Sequence, residues 1–280
     1  MQQQLYHDIS IACSRRITRS YSTSFSLGIR LLGRRLHDPI YAIYGFVRIA
    51  DEIVDTFHDQ DQSVLFSEFR QATIEAIDRR FSTNPVLHAF QDVVHAYGIE
   101  WEVIDLFLNS MEMDLARRTY DRASFERYIV GSAEVVGLMC LKVFVQGDLA
   151  MYAELRPYAM RLGAAFQKVN FLRDMRADYK ELGRMYFPGV SFEMFSEDEK
   201  ARIESEIAED FAIAMTGIRM LPAGARLGVY TAYLYYRALF SKIRRTPASF
   251  ILRRRIRISN RRKVLLMCAG MVRHNLGMLS

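Results

Sequence analysis

The sequence has few of the features that mark secreted or membrane-spanning proteins. It holds only three cysteines, Cys13, Cys140 and Cys268, and their isolated positions lack the spacing of a metal site. An odd number of isolated thiols is typical of a reducing compartment rather than of a disulfide framework. Residues 1–10 lack a basic start followed by an apolar stretch, so no secretory signal is predicted. The apolar stretch 264–272 is far shorter than the roughly 20 residues that span a bilayer, so we expect a cytoplasmic protein whose membrane contact is peripheral.

Linkers and repeats are also missing. The chain has no Gly/Ser tract, no fixed-period repeat and no low-complexity run, and its six prolines lie between periodic segments. With 280 residues, half of them hydrophobic, the chain is long enough to bury a large core. We therefore predict one domain over residues 1–280.

Strand-like alternation is scarce, whereas helical spacing is common. The proline-free stretches 40–84 and 158–187 carry apolar residues at intervals of three and four, which predicts an all-α fold. Three sequence signals predict helix starts: Asp38-Pro39, Asn84-Pro85, and Ser196 with Glu199 in capping-box spacing.

Two aspartate pairs are the most informative feature. Asp51 and Asp55 form one pair and Asp174 and Asp178 the other, each with a spacing of four residues. On a helix this spacing puts both carboxylates on one face, where they can bind a hard cation through oxygen. A single such pair is usually a solvated helix face, but this pattern occurs twice.

Polar residues extend each pair into a stripe about three helical turns long. Tyr44 and Arg48 precede the first pair, and Gln167 and Asn170 precede the second, all at helical offsets. Apolar residues flank both stripes, and burying an unpaired carboxylate costs several kcal/mol. A structural network of acids and arginines is the alternative, but four carboxylates outnumber the neighbouring arginines and favour divalent metal.

Five motifs together resemble the squalene/phytoene synthase family. They are YAIYGFVRIADEIVD at 41–55, QKVNFLRDMRAD at 167–178, STSFS at 22–26, GRMYFP at 183–188 and RIRIS at 255–259. The resemblance covers most of the chain. It implies a helical isoprenoid-synthase fold around a central apolar cavity and the head-to-head joining of two prenyl diphosphates. The reaction would pass through a cyclopropylcarbinyl diphosphate, with diphosphate ionisation assisted by magnesium or, alternatively, manganese.

The resemblance also implies roles for individual residues. The metal ligands would be Asp51, Asp55, Asn170, Asp174 and Asp178. The catalytic set would be Tyr44, Arg48 and the four aspartates. The substrate-binding set would be Tyr21, Ser22, Thr23, Ser24, Phe25, Tyr44, Arg48, Gln167, Arg173, Tyr186, Tyr236 and Arg255, with Tyr186 and Arg255 near the cavity mouth. For residues 21–24 a plain turn or helix cap remains an equal alternative.

Aromatic side chains are the expected partners of a passing carbocation. The candidates are Phe25, Tyr44, Phe166, Tyr233 and Tyr236, and ordinary core packing is the alternative for each.

Two positions depart from the family pattern. Ala177 stands where many relatives have an acid before the last aspartate, and Glu134 replaces a small residue at a helix bend along the cavity. The second departure bears on cavity shape, with pairing to an arginine or guidance of the cation as alternative roles for Glu134.

The carboxy-terminal third is strongly basic. A nucleic-acid partner is not predicted, because no nucleic-acid motif or aromatic stacking platform accompanies the arginines. An anionic membrane surface is the preferred partner, and a solvated face that attracts diphosphate is the alternative. The sequence makes no prediction of oligomeric state.

Three functions are consistent with these features. The first is a phytoene synthase-like prenyltransferase that acts on two geranylgeranyl diphosphates without NADPH. The second is a squalene or dehydrosqualene synthase that acts on farnesyl diphosphate, where squalene formation would add NADPH. The third is a catalytically silent assembly protein with the same fold. Retention of all four aspartates argues against the third.

Overall fold

Helices form nearly all of the regular structure. A computed structural model describes residues 2–116 and 119–275, and no strand occurs within these ranges, which confirms the predicted all-α class. The helices are α1 (Gln2–Tyr21), α2 (Thr23–Arg30), α3 (Arg34–Asp55), α4 (Gln62–Arg79), α5 (Pro85–Tyr97), α6 (Trp101–Ala116), α7 (Arg122–Ile129), α8 (Val135–Val145), α9 (Leu149–Leu182), α10 (Glu197–Met220), α11 (Ala223–Arg244), α12 (Ala248–Ile251) and α13 (Asn260–Asn275). A π-helical turn, Val130–Glu134, joins α7 to α8.

Two of the three predicted helix starts are confirmed. The Asn84 side chain accepts hydrogen bonds from the N–H groups of Val86 and Leu87, and Ser196 forms a reciprocal capping box with Glu199. The prediction at Asp38 is wrong, because α3 begins four residues earlier at Arg34 and encloses Pro39. Asp38 instead forms an ion pair with Arg15 of α1, so its side chain is unavailable as a cap.

Helix α9 runs through the centre of the molecule. It has 34 residues, begins at the Asp148 cap and ends at Gly183, whose φ of 66° suits a residue without a Cβ. It packs against α8, α10 and the π turn, while α3 packs against α1, α5 and α8. This arrangement brings the carboxyl-terminal halves of α3 and α9 to the same cavity.

The π turn lies against its neighbours with almost no space. A Cβ at Gly131 would collide with the Leu106 carbonyl oxygen of α6, and one at Gly163 of α9 would collide with the Ala133 carbonyl oxygen of the turn. The two glycines therefore allow main chain to approach main chain on this side of the cavity.

One segment, Arg122–Val145, is long and apolar enough to cross a membrane by length and composition. In this structure 72% of its most apolar window is buried inside the protein, as expected for a core helix. Its residues Tyr128 and Leu138 are 2% and 3% exposed.

Helices α1 and α5 are joined by a polar cluster far along the chain from the acidic pairs. Asp92 lies 2.7 Å from Nδ1 of His7, and its other oxygen accepts a hydrogen bond from Gln91. The Ser82 N–H approaches Nδ1 of His88, which leaves Nε2 of that ring to carry a proton towards Asp92. Hydrogen bonds account for His7 and Asp92, whereas Nε2 of His88 lies 3.8 Å from Asp92, which is an ion-pair contact rather than a hydrogen bond.

Candidate active site

The acidic pairs line one cavity of about 890 Å³. Its lining along α9 changes character at Gln167. Residues from Leu155 to Phe166 present mainly apolar groups over about 17 Å, and residues from Gln167 to Asp178 present amides, a guanidinium and carboxylates. The cavity therefore offers both a charged region and an apolar length beside it.

The first acidic pair lies in the last turns of α3. Arg48 forms an ion pair with Asp51 at 2.5 Å and another with Glu52, which is 6% exposed. The Arg48 guanidinium also lies 4.3 Å from the ring centroid of Tyr21. Asp55 forms an ion pair with Arg184, the residue that follows the α9 cap.

The second pair lies near the end of α9. Asp174 is held by Arg173 at 2.5 Å and by Arg255 at 2.6 Å. Within the described residues, no side chain pairs with the carboxylate of Asp178.

The amides of the second stripe contact one another and an aromatic side chain. Asn170 donates to Gln167 at 3.4 Å and accepts a hydrogen bond from the Tyr236 hydroxyl at 3.2 Å. The Tyr236 ring stacks on Phe166 with centroids 3.9 Å apart.

Burial and mutual repulsion make these carboxyl groups hard to ionise. Burial, followed by the charge of Asp55, raises the pKa of Asp51 to about 7, although Arg48 opposes the shift. Burial, followed by the charges of Asp174 and Asp55, raises the pKa of Asp178 to about 8. The effect of Asp55 on Asp178 reflects the closeness of the two pairs. A doubly charged cation beside either pair would favour the ionised form of both groups, so the site suits such a cation.

Sequence reasoning missed a buried polar network behind the first pair. The carboxylate of Asp114 accepts hydrogen bonds from the hydroxyls of Tyr120 at 2.9 Å, Tyr128 at 2.5 Å and Tyr186 at 3.3 Å, and Arg184 lies 3.7 Å away. Burial raises the pKa of Asp114 to about 6, and Arg184 opposes the shift. Arg184 lies inside the GRMYFP motif, but Asp114 has no second carboxylate three or four residues away that would have marked it.

Residues 21–25 form one rim of the cavity. The Ser22 hydroxyl caps α2 by accepting the N–H of Phe25, so the helix-cap alternative applies to it. The Thr23 hydroxyl accepts a hydrogen bond from Lys263, and Phe25 packs against Tyr44 with centroids 5.2 Å apart. Burial raises the pKa of Tyr44 to about 12, so this phenol stays protonated at neutral pH. Ser24 also lines the cavity.

Three sequence expectations need correction. Tyr233 does not line the cavity but packs edge-on against Phe211 in the core. Tyr186 lies buried, 6% exposed and stacked on Phe171 at 4.0 Å, rather than near the mouth. Glu134 is not among the cavity-lining residues. Burial has the largest effect on its carboxyl group and raises the pKa, while Arg161 lowers it and Asp210 raises it.

Comparisons with known proteins agree on one family. The family model for squalene/phytoene synthases matches residues 18–262. A phytoene synthase of Arthrospira platensis is 26% identical over 257 residues, covering 82% of each chain. A presqualene diphosphate synthase of Rhodopseudomonas palustris is 27% identical over 219 residues, covering 78% of this chain and 71% of the relative. A crystal structure of a dehydrosqualene synthase in complex with ligand superposes with a TM-score of 0.81 at 21% identity, covering 96% of this chain and 98% of the other.

Proposed function

The chain belongs to the squalene/phytoene synthase family, and from that premise we propose that it joins two geranylgeranyl diphosphates head to head to make phytoene. The observation that carries the proposal is that two aspartate pairs, one from α3 and one from α9, line a single cavity with an apolar length beside them. The charged region suits two diphosphate groups, and the apolar length suits their prenyl chains.

Ionisation is the first chemical step. The C1–O bond of one substrate breaks, and its electron pair leaves with diphosphate. Arg48 and Arg173 stabilise the departing anion, since fixed positive charge in a site of low dielectric favours charge as it develops. The Nε atom of Arg48, which lines the cavity, is buried without a hydrogen-bond partner among the described residues and suits a phosphate oxygen. The four aspartates and Asn170 would hold magnesium, which would supply charge that neutralises the leaving diphosphate.

Carbon–carbon bond formation follows. The double bond of the second substrate attacks the allylic cation, a proton leaves, and a cyclopropylcarbinyl diphosphate results. Its own ionisation and rearrangement, with loss of a second proton, give the linear hydrocarbon. The protein excludes water along the apolar wall of α9, and the faces of Phe166, Tyr236 and Tyr44 each stabilise passing positive charge by about 0.5–2 kcal/mol.

A second candidate is a synthase that joins two farnesyl diphosphates. It is favoured by the likeness to the presqualene diphosphate synthase and by a 26% identical 4,4'-diapophytoene synthase of Staphylococcus haemolyticus. In this case squalene formation would require NADPH as hydride donor, whereas dehydrosqualene formation would not.

The assay that separates these candidates supplies each substrate alone. Purified protein with magnesium is incubated with farnesyl or geranylgeranyl diphosphate, with and without NADPH, and the hydrocarbon is identified by mass. We expect a forty-carbon product that does not depend on NADPH. A thirty-carbon product would replace the first candidate with the second. Absence of diphosphate release from both substrates would leave the assembly-protein alternative.

The partners that we propose are prenyl diphosphates and the inner face of the membrane, into which a hydrocarbon product would partition. No nucleic-acid partner is proposed, because the arginines of the described carboxy-terminal region accompany apolar side chains rather than a stacking platform.

A further inference from the structure

Charge is distributed very unevenly along the chain. Residues 211–280 contain 14 Lys and Arg and no Asp or Glu, whereas residues 1–210 contain 24 Lys and Arg against 32 Asp and Glu. The carboxy-terminal quarter is thus a block of positive charge on a protein that is otherwise acidic. Such asymmetry indicates an anionic partner for that part of the molecule.

Helix α13 lies in this block and exposes an apolar face. Val264, Leu265 and Val272 are 47%, 68% and 56% exposed, and Cys268 is exposed between them. At 100° per residue these four side chains share one face. The opposite face packs on α11, where Gly270 lies against Thr231.

Arginines adjoin the apolar face. Arg261 and Arg262, both exposed, stand at the start of α13, and Arg273 at its end donates to the Tyr230 hydroxyl. Arg262 also lines a second, shallower cavity of about 550 Å³, together with Lys242, Arg245 and Arg257. None of its described lining residues carries a carboxylate, so this basic cavity is suited to a phosphate group.

The same region forms part of the active-site wall. Residues 255–258, Asn260 and Lys263 line the large cavity, where Lys263 donates to Thr23 and Arg255 pairs with Asp174. Helix α13 therefore has one end at the rim of the cavity and its apolar face towards solvent.

We propose that the apolar face of α13 and the adjoining basic cavity dock on an anionic phospholipid bilayer. Val264, Leu265 and Val272 enter the headgroup boundary, Arg261 and Arg262 contact lipid phosphates, and the basic cavity holds one headgroup. Apolar side chains next to arginines are the pattern of helices that lie in a membrane interface. A second copy of this face is a poor occupant, because it would bring like charges together. This face of α13 is the part of the protein that meets the proposed membrane partner, and it rests on the proposed function only for its biological purpose.

The test measures binding of the full-length protein to phosphatidylcholine vesicles with and without phosphatidylglycerol, in the absence of substrate. We expect binding only to the anionic vesicles, and weaker binding at high salt. Each charge near an anionic surface contributes about fivefold, so Arg261→Gln with Arg262→Gln should weaken binding about 25-fold. Leu265→Gln should weaken it about fivefold.

A matched control removes two exposed arginines elsewhere, Arg79→Gln with Arg127→Gln on α4 and α7, and should bind like the wild type. An environment-sensitive fluorophore on Cys268, in a C13S/C140A background, should shift to the blue with anionic vesicles. Equal weakening by both double variants, or wild-type binding by R261Q/R262Q, would overturn the proposal. So would a blue shift that appears with rising protein concentration alone, since a second copy would then cover the face.

Vesicle binding and hydrocarbon synthesis can be measured separately. Hydrocarbon synthesis from detergent-dispersed substrate should be unchanged in R261Q/R262Q. Vesicle binding without synthesis would refute the proposed function and support the membrane-docking surface. Synthesis without binding to anionic vesicles would support the proposed function and refute the docking surface.

Discussion

Arg184 donates a hydrogen bond to Asp55 across 129 residues of chain. Its own N–H donates to the main-chain carbonyl of Asp178 at 2.8 Å, and its guanidinium also donates to the carbonyl of Val54 at 3.0 Å. One residue thus ties the end of α3 to the end of α9, and fixes the distance between the two acidic pairs.

Removing the Arg184 guanidinium should destabilise the fold. Arg184→Met leaves the buried Asp114 without its cation, and we expect a loss of about 3–5 kcal/mol in the free energy of unfolding, measured with urea. Adding Asp114→Asn should recover part of that loss, because the uncompensated charge is gone. Arg176→Met, an exposed position on α9, is the control. Equal stability of R184M and R176M would show that Arg184 does not hold the pairs together.

The aspartates should matter for turnover more than for folding. Asp51→Asn or Asp174→Asn should lower the rate of diphosphate release by about 100-fold or more, because each removes a charge expected to hold the metal near the leaving group. Helical content by circular dichroism should stay the same. Asp78→Asn, at an exposed site on α4, should retain the wild-type rate. Full activity of D51N or D174N would contradict their proposed role.

The raised pKa of Asp178 should make the free energy of unfolding depend on pH. Its pKa is about 8 in the fold against an ordinary value of 3.8, so the folded protein holds the proton more tightly. The stabilisation is complete below about pH 4 and is lost as the pH rises through 8. Without metal, Asp178→Asn should therefore be more stable than the wild type by about 1 kcal/mol or more at pH 8, and by little at pH 4. If the difference in stability between Asp178→Asn and the wild type did not change with pH, the raised pKa of Asp178 would not be its cause.

Magnesium should stabilise the wild type and reverse that order. Ligand binding to the folded state alone raises stability by about 2.7 kcal/mol at 100 times the dissociation constant. Thermal unfolding at pH 8 with and without magnesium should show a rise in Tm for the wild type and a smaller one for Asp178→Asn. Identical rises in both proteins would mean that the ion binds elsewhere.

Gly163→Ala should destabilise by about 1–3 kcal/mol, since the new methyl group would meet the carbonyl of Ala133. Gly224→Ala is the matched control, because its Cβ would meet only Leu36 at 3.9 Å and alanine favours a helix. Urea unfolding should show a loss for the first variant and no loss, or a small gain, for the second. Equal changes in stability for the two variants would contradict the close main-chain packing inferred at Gly163.

Periodicity was sufficient to predict the helical class and the faces that carry the acidic pairs. Local rules failed where tertiary contacts competed with them. Asp38 had the sequence of a cap, yet its side chain pairs with Arg15 of another helix. Asp114 has an ordinary sequence context, and only folding surrounds it with three hydroxyls and a guanidinium. Tyr233 and Tyr236 are three residues apart on α11, but one enters the core and the other the cavity, a difference that sequence spacing does not resolve.

The glycine contacts of the π turn restrict how a cavity of this kind can diverge between relatives. Where main chain touches main chain, there is no side chain to shorten, so no single substitution there enlarges the hollow. Room for a longer or shorter hydrocarbon has to arise on the other walls, at side chains such as Ile29 of α2 or Phe144 of α8. Selection for a new product length would then leave these glycine contacts untouched and alter side chains elsewhere in the lining.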